Sequence, residues 1–127
     1  MGCGRVGAMI ATALWEEGHQ VVVLDINAES LRRLPEELQQ EAIVGDGTLE
    51  EDLRKGGIEG TDAFVAVSSG DTANVLAAQM AERVFQVGKV ICQIDDTARY
   101  EIYKELGLTA VSSTRLISDL ILEAVHR

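Results

Sequence analysis

The chain opens on six residues that could do chemistry together, Gly2-Cys3-Gly4-Arg5-Val6-Gly7, a G-x-G-x-x-G pattern running straight into an apolar-periodic segment. In a strand–turn–helix unit the first glycine permits a tight turn, the second lets the backbone approach a pyrophosphate, and the third lets helix and strand pack closely. The free amides of the helix's first turn, with the partial positive charge there, favour an anion. Asp25 stands twenty-one positions after Gly4, where this fold places the carboxylate that grips a ribose. A 2′-phosphate ~4 Å from that carboxylate would meet repulsion of roughly 4 kcal/mol per charge pair at an effective dielectric near 20, so NADP is disfavoured. NAD, NADH, ATP, ADP and AMP all carry free ribose hydroxyls and remain compatible. Arg5, inside the turn, either snorkels into solvent or reaches a second or terminal phosphate.

Three further loops follow apolar runs and carry polar residues: Asp46, then Ser68 with Asp71, then Asp95, so that with Asp25 four carboxylates ring one crevice. Asp71 and Asp95 read equally well as helix caps or turn residues. Asp46 lies between Gly45 and Gly47, and small neighbours let something approach the backbone there. The crevice has no His, Lys or Tyr spaced to pass a proton to a carbonyl, which favours binding without turnover over an enzyme. His19 and His126 are isolated, and Cys3 and Cys92 lack metal-type spacing and read as small buried groups.

Alternating strands and helices must hold these residues. The helix after the glycine turn is expected over residues 6–17, with Val6, Ile10, Ala13 and Leu14 inward and Gly18 as its C′ residue. Residues 20–25 read as a buried parallel strand ending in Asp25. Asn27 can cap a short helix carrying Leu31 and Leu34 before Pro35 disturbs it, and residues 41–44 give a third short strand. Thr48 is placed to cap a helix over 49–55, and a strand over 63–67 leads to a long helix over 72–87. In that long helix Ala73, Leu76, Ala77, Met80, Ala81 and Val84 form one stripe, while Val75, Ala78 and Phe85 lie outside it. A strand over 89–94, a helix over 98–106 with Ile102 and Leu106 inward, and a strand over 108–111 follow. The last helix, over 114–127, carries Leu116, Ile117, Leu120, Ile121, Ala124 and Val125, a stripe that packs on the parent sheet or on another chain.

This pattern means an α/β single domain, a Rossmann-like doubly wound parallel sheet with ligands at the strands' carboxyl ends. Its first strand is missing or lies upstream of residue 1, since only Met1 precedes Gly2, and Met1 is expected to be the last residue of that strand. With 127 residues, 46% hydrophobic and 25% charged, the chain is a domain able to bury roughly two-thirds of its unfolded surface. A net charge of −10 without a basic patch disfavours nucleic acid. No membrane span or signal peptide is visible in the sequence, which points to the cytoplasm.

The glycine turn, the run Gly18-His19-Gln20-Val21-Val22-Val23-Leu24-Asp25, and Gly45-Asp46-Gly47-Thr48 with Leu53 and Gly57-Ile58 closely resemble the RCK, or KTN (TrkA-N), nucleotide-binding domains of Trk- and Ktr-type potassium transport regulators. The resemblance spans residues 1–127 and implies a cytoplasmic regulatory subunit, peripheral to the inner face of the membrane, that binds NAD(H) or adenine nucleotides. It implies assembly into a homodimer or higher ring under a potassium channel or transporter that it gates. It also implies phosphate contacts from Gly2, Gly4, Arg5, Val6 and Gly7, ribose contact from Asp25, Asp46 and Thr48 beside the adenosine, and Ser68, Asp71 and Asn74 near the rest of the ligand. Residues 114–127 match a terminal crossover or dimerisation helix. The family's smaller C-terminal domain has no counterpart here, and Ser112-Ser113-Thr114 replaces a proline-containing turn found in many relatives. Two rival readings are a cofactor domain of an NAD-dependent oxidoreductase and a dimerisation module that has lost its ligand.

Overall fold

The glycine turn delivers the chain into α1 (Arg5–Glu16), with Gly4 as its extended N-cap, in a computed structural model that describes residues 1–127. The helix ends where the sequence places its stop: Gly18 adopts φ 95°, and the amides of Gly18 and His19 donate to the carbonyls of Trp15 and Leu14. There follow β1 (Leu24–Asp25), a 3-10 turn (Ala28–Arg33), α2 (Glu36–Glu41), β2 (Ile43–Val44), α3 (Glu50–Lys55), β3 (Ala63–Ala66), α4 (Asp71–Arg83), β4 (Lys89–Gln93), α5 (Thr97–Glu105), β5 (Thr109–Val111) and α6 (Ser113–His126). Asn27 caps the 3-10 turn as expected, its side chain accepting from the Glu29 amide. Beyond Pro35 the chain forms α2, a helix that the sequence reading left out.

All strand pairs are parallel and fall into two groups, β1 with β2, and β3-β4-β5 in that order. Met1 and Gly2 lie between the groups. The Gly2 amide donates to the Leu24 carbonyl at 2.8 Å, the Val67 amide donates to the Met1 carbonyl at 2.8 Å, and the Met1 amino group donates to the Val65 carbonyl at 2.8 Å. The spatial order is therefore β2, β1, Met1–Gly2, β3, β4, β5, which is the dinucleotide-fold order once Met1 and Gly2 are counted as the end of its central strand. Of the strand expected over 20–25 only Leu24 and Asp25 remain regular, because a ladder needs a neighbour. β2 begins at Ile43, and on the other side Gly2 bonds Leu24.

The core has two parts. One gathers Cys3, Ala8, Ala11, Val23, Leu31, Leu34 and Leu38, with Trp15 packed against them. The other joins Leu24, Leu53, Ile58 and Ala66 to the inward faces of α4 and β4. Three expected helix faces are corrected by the packing. In α1 the buried residues are Gly7, Ala8 and Ala11, while Val6 and Ala13 are exposed, because a helix bound to the glycine turn must present its smallest residues to the sheet. In α4 the buried face is Asn74, Val75, Ala77, Ala78 and Ala81, so Leu76 and Val84 of the expected stripe are exposed and Val75 and Ala78 are core. In α5, Ile102 and Leu106 face outward, and Tyr100 and Tyr103 pack on the core instead. None of the chain's helices is long and apolar enough to cross a membrane.

Ala78 is fully buried, so Ala78→Leu is expected to destabilise the domain by about 1–3 kcal/mol through overpacking. Ile102, 56% exposed, should tolerate Ile102→Ala within about 0.5 kcal/mol. Urea denaturation of both variants checks the pair, since an inward Ile102 would lose several times that amount.

Candidate functional site

The three glycines of the opening motif do different work. Gly2 adopts φ 100°, and a methyl group built on it would lie 2.6 Å from the Ser68 amide nitrogen. A methyl on Gly7 would overlap the Gly2 carbonyl oxygen and lie 3.3 Å from Val67 Cγ2. Both positions are filled by the protein itself. Gly4 differs, since nothing lies within 4 Å of the space its side chain would occupy. That open space sits at the start of α1, where no side chain caps the helix. The amides of the first turn have no partner within a helix, so this is a cradle suited to a phosphate.

Asp25 closes one side of the cradle. Its Oδ2 accepts the Cys3 amide at 2.7 Å and its Oδ1 accepts the Asn27 amide at 2.8 Å, which ties the end of β1 to the glycine turn. Each carboxylate oxygen keeps a second lone pair for a sugar hydroxyl. Arg33, unmarked in the sequence reading, bends back so that its Nη1 donates to the Cys3 carbonyl at 3.4 Å. Two surface depressions meet at Arg33, one lined by Asn27, Glu29, Ser30 and Arg32, the other by Arg5, Ala8, Met9 and Thr12 on α1. Arg5 and Arg33 thus place two cations beside a turn in a strongly acidic chain. Only the side-chain bend finds Arg33, because it lies thirty positions from Cys3 in sequence.

Asp46 follows β2, next to the end of β1 through the Gly45 amide, which donates to the Asp25 carbonyl at 3.0 Å. Its Oδ1 accepts the Thr48 amide at 2.9 Å and the Thr48 hydroxyl at 2.6 Å, and these bonds hold its carboxyl below the usual carboxylate range. Thr48 is thereby turned toward Asp46 and does not cap α3, whose N-cap is Leu49. Asp52, also missed from sequence, accepts the Asp46 amide at 2.8 Å. The glycines around Asp46 have an internal reason, because a methyl on Gly47 would overlap the Met1 side chain and one on Gly45 would sit 3.0 Å from Asp52 Oδ2. What approaches the backbone there is the chain itself.

The far side of the edge is held differently from the sequence expectation. Asn74 is fully buried and all four of its hydrogen-bonding positions are used internally. Its Oδ1 accepts the Ser68 amide at 2.9 Å and the Ser68 hydroxyl at 2.6 Å, and its Nδ2 donates to the Ser68 and Gln93 carbonyls at 2.9 and 3.0 Å. Both Asp71 oxygens are bound as well, accepting the Asp95 and Asp96 amides at 2.9 Å each. Asn74 and Asp71 therefore position the edge, and Ser68 is oriented by Asn74. Asp95 accepts from Ser113 and Gln93, and although burial opposes its ionisation these bonds prevail and lower its carboxyl below the ordinary range. Burial pushes the Cys92 thiol up to about 11 and raises Cys3 too, which suits inert structural cysteines.

Two measurements check this geometry. Gly4→Ala should leave urea stability within about 0.5 kcal/mol, whereas Gly7→Ala should cost about 1–3 kcal/mol or more, because only the second meets protein atoms. A carboxyl whose folded pKa is depressed stabilises the fold above its unfolded value and loses that contribution as pH falls through the folded one. The stability difference between wild type and Asp95→Asn should accordingly be largest above the ordinary value of 3.8 and shrink on acidification below it.

Comparison with known proteins agrees with this architecture. The TrkA-N domain profile matches residues 1–114. The Trk system potassium uptake protein TrkA of Streptomyces coelicolor is 43% identical over 122 residues, covering 96% of this chain and 55% of that protein. A TrkA homologue of Pyrococcus abyssi is 34% identical over 106 residues, covering 84% of this chain and 47% of that protein. The chain thus spans about half the length of these curated relatives. Among solved structures, the NAD(P)-binding domain of an exopolyphosphatase-related protein from Archaeoglobus fulgidus superposes with TM-score 0.78 at 21% identity, over 98% of this chain and 93% of that one, a likeness of fold. On the strength of the profile match, the chain belongs to the TrkA-N domain family.

Proposed function

We propose that this chain is a nucleotide-sensing regulatory domain, residues 1–127, that gates a potassium channel or transporter. The observation that carries the reading is the open cradle at Gly4, beside an uncapped helix start and a carboxylate already bonded to the same turn. The diphosphate of NAD(H), or the phosphates of ATP, ADP or AMP, would take the amides at Gly2, Gly4, Arg5, Val6 and Gly7, with Asp25 holding the ribose. Asp46 and Thr48 would border the adenosine and Ser68 the remainder, with Asp71 and Asn74 acting through the backbone that they pin. Binding would work by population shift, a nucleotide favouring one arrangement by ~1–3 kcal/mol, with no covalent chemistry. The names of the relatives, potassium uptake proteins, support the transport side of this reading. The chain would act in the cytoplasm, against the inner face of the membrane that holds its transporter.

The same reading assigns α6 to assembly. Leu116, Ile117, Leu120, Ile121 and Val125 recur at helical spacing and are each between 54% and 70% exposed. Such a stripe suits a second copy crossing it in a homodimer or ring.

At a hundredfold excess over its dissociation constant, NADH or ATP should add roughly 2.7 kcal/mol of stability, read as a raised melting temperature. Asp25→Ala should remove most of that gain, and the absence of any gain in wild type for either nucleotide would refute the sensing half. Leu120→Glu combined with Ile117→Glu should turn a dimer into a monomer in analytical ultracentrifugation without lowering nucleotide affinity.

A further inference from the structure

α6 is joined to the rest of the domain almost entirely through its first turn, since every residue from 114 to 127 is exposed. One anchor is Asp95, whose Oδ1 accepts the Ser113 amide at 2.9 Å and the Ser113 hydroxyl at 2.7 Å. The other is Arg115, which pairs with Glu101 and lies over the Tyr100 ring at 5.4 Å. Ser112 completes the turn, its hydroxyl oxygen accepting the Arg115 amide at 3.2 Å. The helix is fourteen residues long, so at 1.5 Å per residue a tilt of about 10° at its base moves its far end by about 3–4 Å. A small change at the anchor is therefore a large change at the tip.

The Asp95 anchor is wired to the glycine turn. Ser68 packs against Gly2 so closely that a methyl group there would not fit. From Ser68 the hydrogen bonds run to the buried Asn74, from Asn74 Nδ2 to the Gln93 carbonyl at 3.0 Å, and from Gln93 Nε2 to Asp95 Oδ2 at 2.7 Å. Gln93 Nε2 also reaches the Ser113 hydroxyl at 3.4 Å, and Asp71 fixes the Asp95 backbone from the start of α4. None of Ser68, Asn74, Gln93, Asp95 and Ser113 is exposed, so solvent does not readily substitute for the links between them. The Arg115 anchor has no hydrogen bond into this chain of residues: its partners, Glu101 and Tyr100, both lie on α5.

We propose that Asp95 is the joint through which nucleotide occupancy at the glycine turn sets the direction of α6. This rests on the nucleotide-sensing reading above and adds the route by which that site would act on the assembly helix. A phosphate seated at Gly4 fixes the turn, the turn fixes Ser68, and the chain Ser68–Asn74–Gln93–Asp95 fixes Ser113. Asp95 is a positioning residue here and touches no ligand.

Hydrogen exchange of the full chain, with and without saturating NADH or ATP, tests the route in wild type, Asp95→Asn, Ser113→Ala and Arg115→Ala. In wild type the nucleotide should change exchange over residues 113–118 by at least threefold. Asp95→Asn and Ser113→Ala should reduce that difference below 1.5-fold while nucleotide still binds in calorimetry. Arg115→Ala should speed exchange in both states and keep the nucleotide-dependent difference, since it removes the unconnected anchor. If Asp95→Asn and Ser113→Ala behave like Arg115→Ala, Asp95 only holds the helix and the proposal is overturned; Ser113→Ala decides the matter should Asp95→Asn fail to fold. Binding to wild type without any change over 113–118 also overturns it, and leaves nucleotide sensing standing. Failure of both nucleotides to bind wild type would remove the sensing reading and this one with it.

Discussion

Backbone hydrogen bonds through Met1 and Gly2 join the two strand groups of the domain. Gly2 bonds to Leu24 on one side and Met1 to Val65 and Val67 on the other. Gly2 can lie against Ser68 because it takes a left-handed backbone and has no side chain to strike it. Several candidate site groups lie next to it: α1 begins three residues later, Asp25 bonds the next amide, and Ser68 packs on its far side. The order in which successive strands are added also changes side across it, β1 and β2 lying on one flank and β3, β4 and β5 on the other, all parallel. A crevice at such a switch point is where open parallel sheets take their ligands.

The carboxylates along the edge show how one residue type is put to two uses. Asp25 and Asp46 each use backbone amides for orientation while keeping capacity for another donor. Asp71, which also bonds one amide with each oxygen, and Asp95 hold the turn before α5 and the start of α6. Each buried amide or hydroxyl left without such a partner would cost about 1–3 kcal/mol, and no buried side-chain polar atom in this domain is left so. The acidic residues thus serve the fold first, while the open start of α1 at Gly4 presents main-chain amides and Arg5 and Arg33 line a neighbouring depression along α1, in a chain of net charge −10.

The exposed apolar side chains are unevenly spread. α1 hides its small residues and shows Val6 and Met9, α5 shows Ile102 and Leu106, and α6 shows its whole stripe. An apolar stripe left exposed adds little to stability, so α6 is held to the domain by its base and not by its apolar face. Its base, in contrast, is tightly specified by Asp95, Ser112 and Arg115.

The glycine spacing, the length of α1 to its Gly18 stop and the strand–helix alternation were all legible in the sequence, because each follows from local torsion preference or from a fixed interval along the chain; that Asp25 bonds the Cys3 amide of the turn was not. Which side of α1, α4 and α5 faces inward was not, since several faces carry apolar residues and only the sheet's proximity selects the small ones. Nor could sequence tell that Asp71 and Asn74 hold the scaffold, that Arg33 bends back to Cys3, or that Met1 fills the space over Gly47. Those facts depend on atoms brought together from nineteen to forty-six positions apart, and no local pattern encodes such meetings. The sequence by itself determined the turn and the helix that follows it, through stereochemistry that acts within a few bonds. Tertiary structure decided what every other polar group is for, because a buried donor or acceptor takes whichever partner the packed chain brings within about 3 Å.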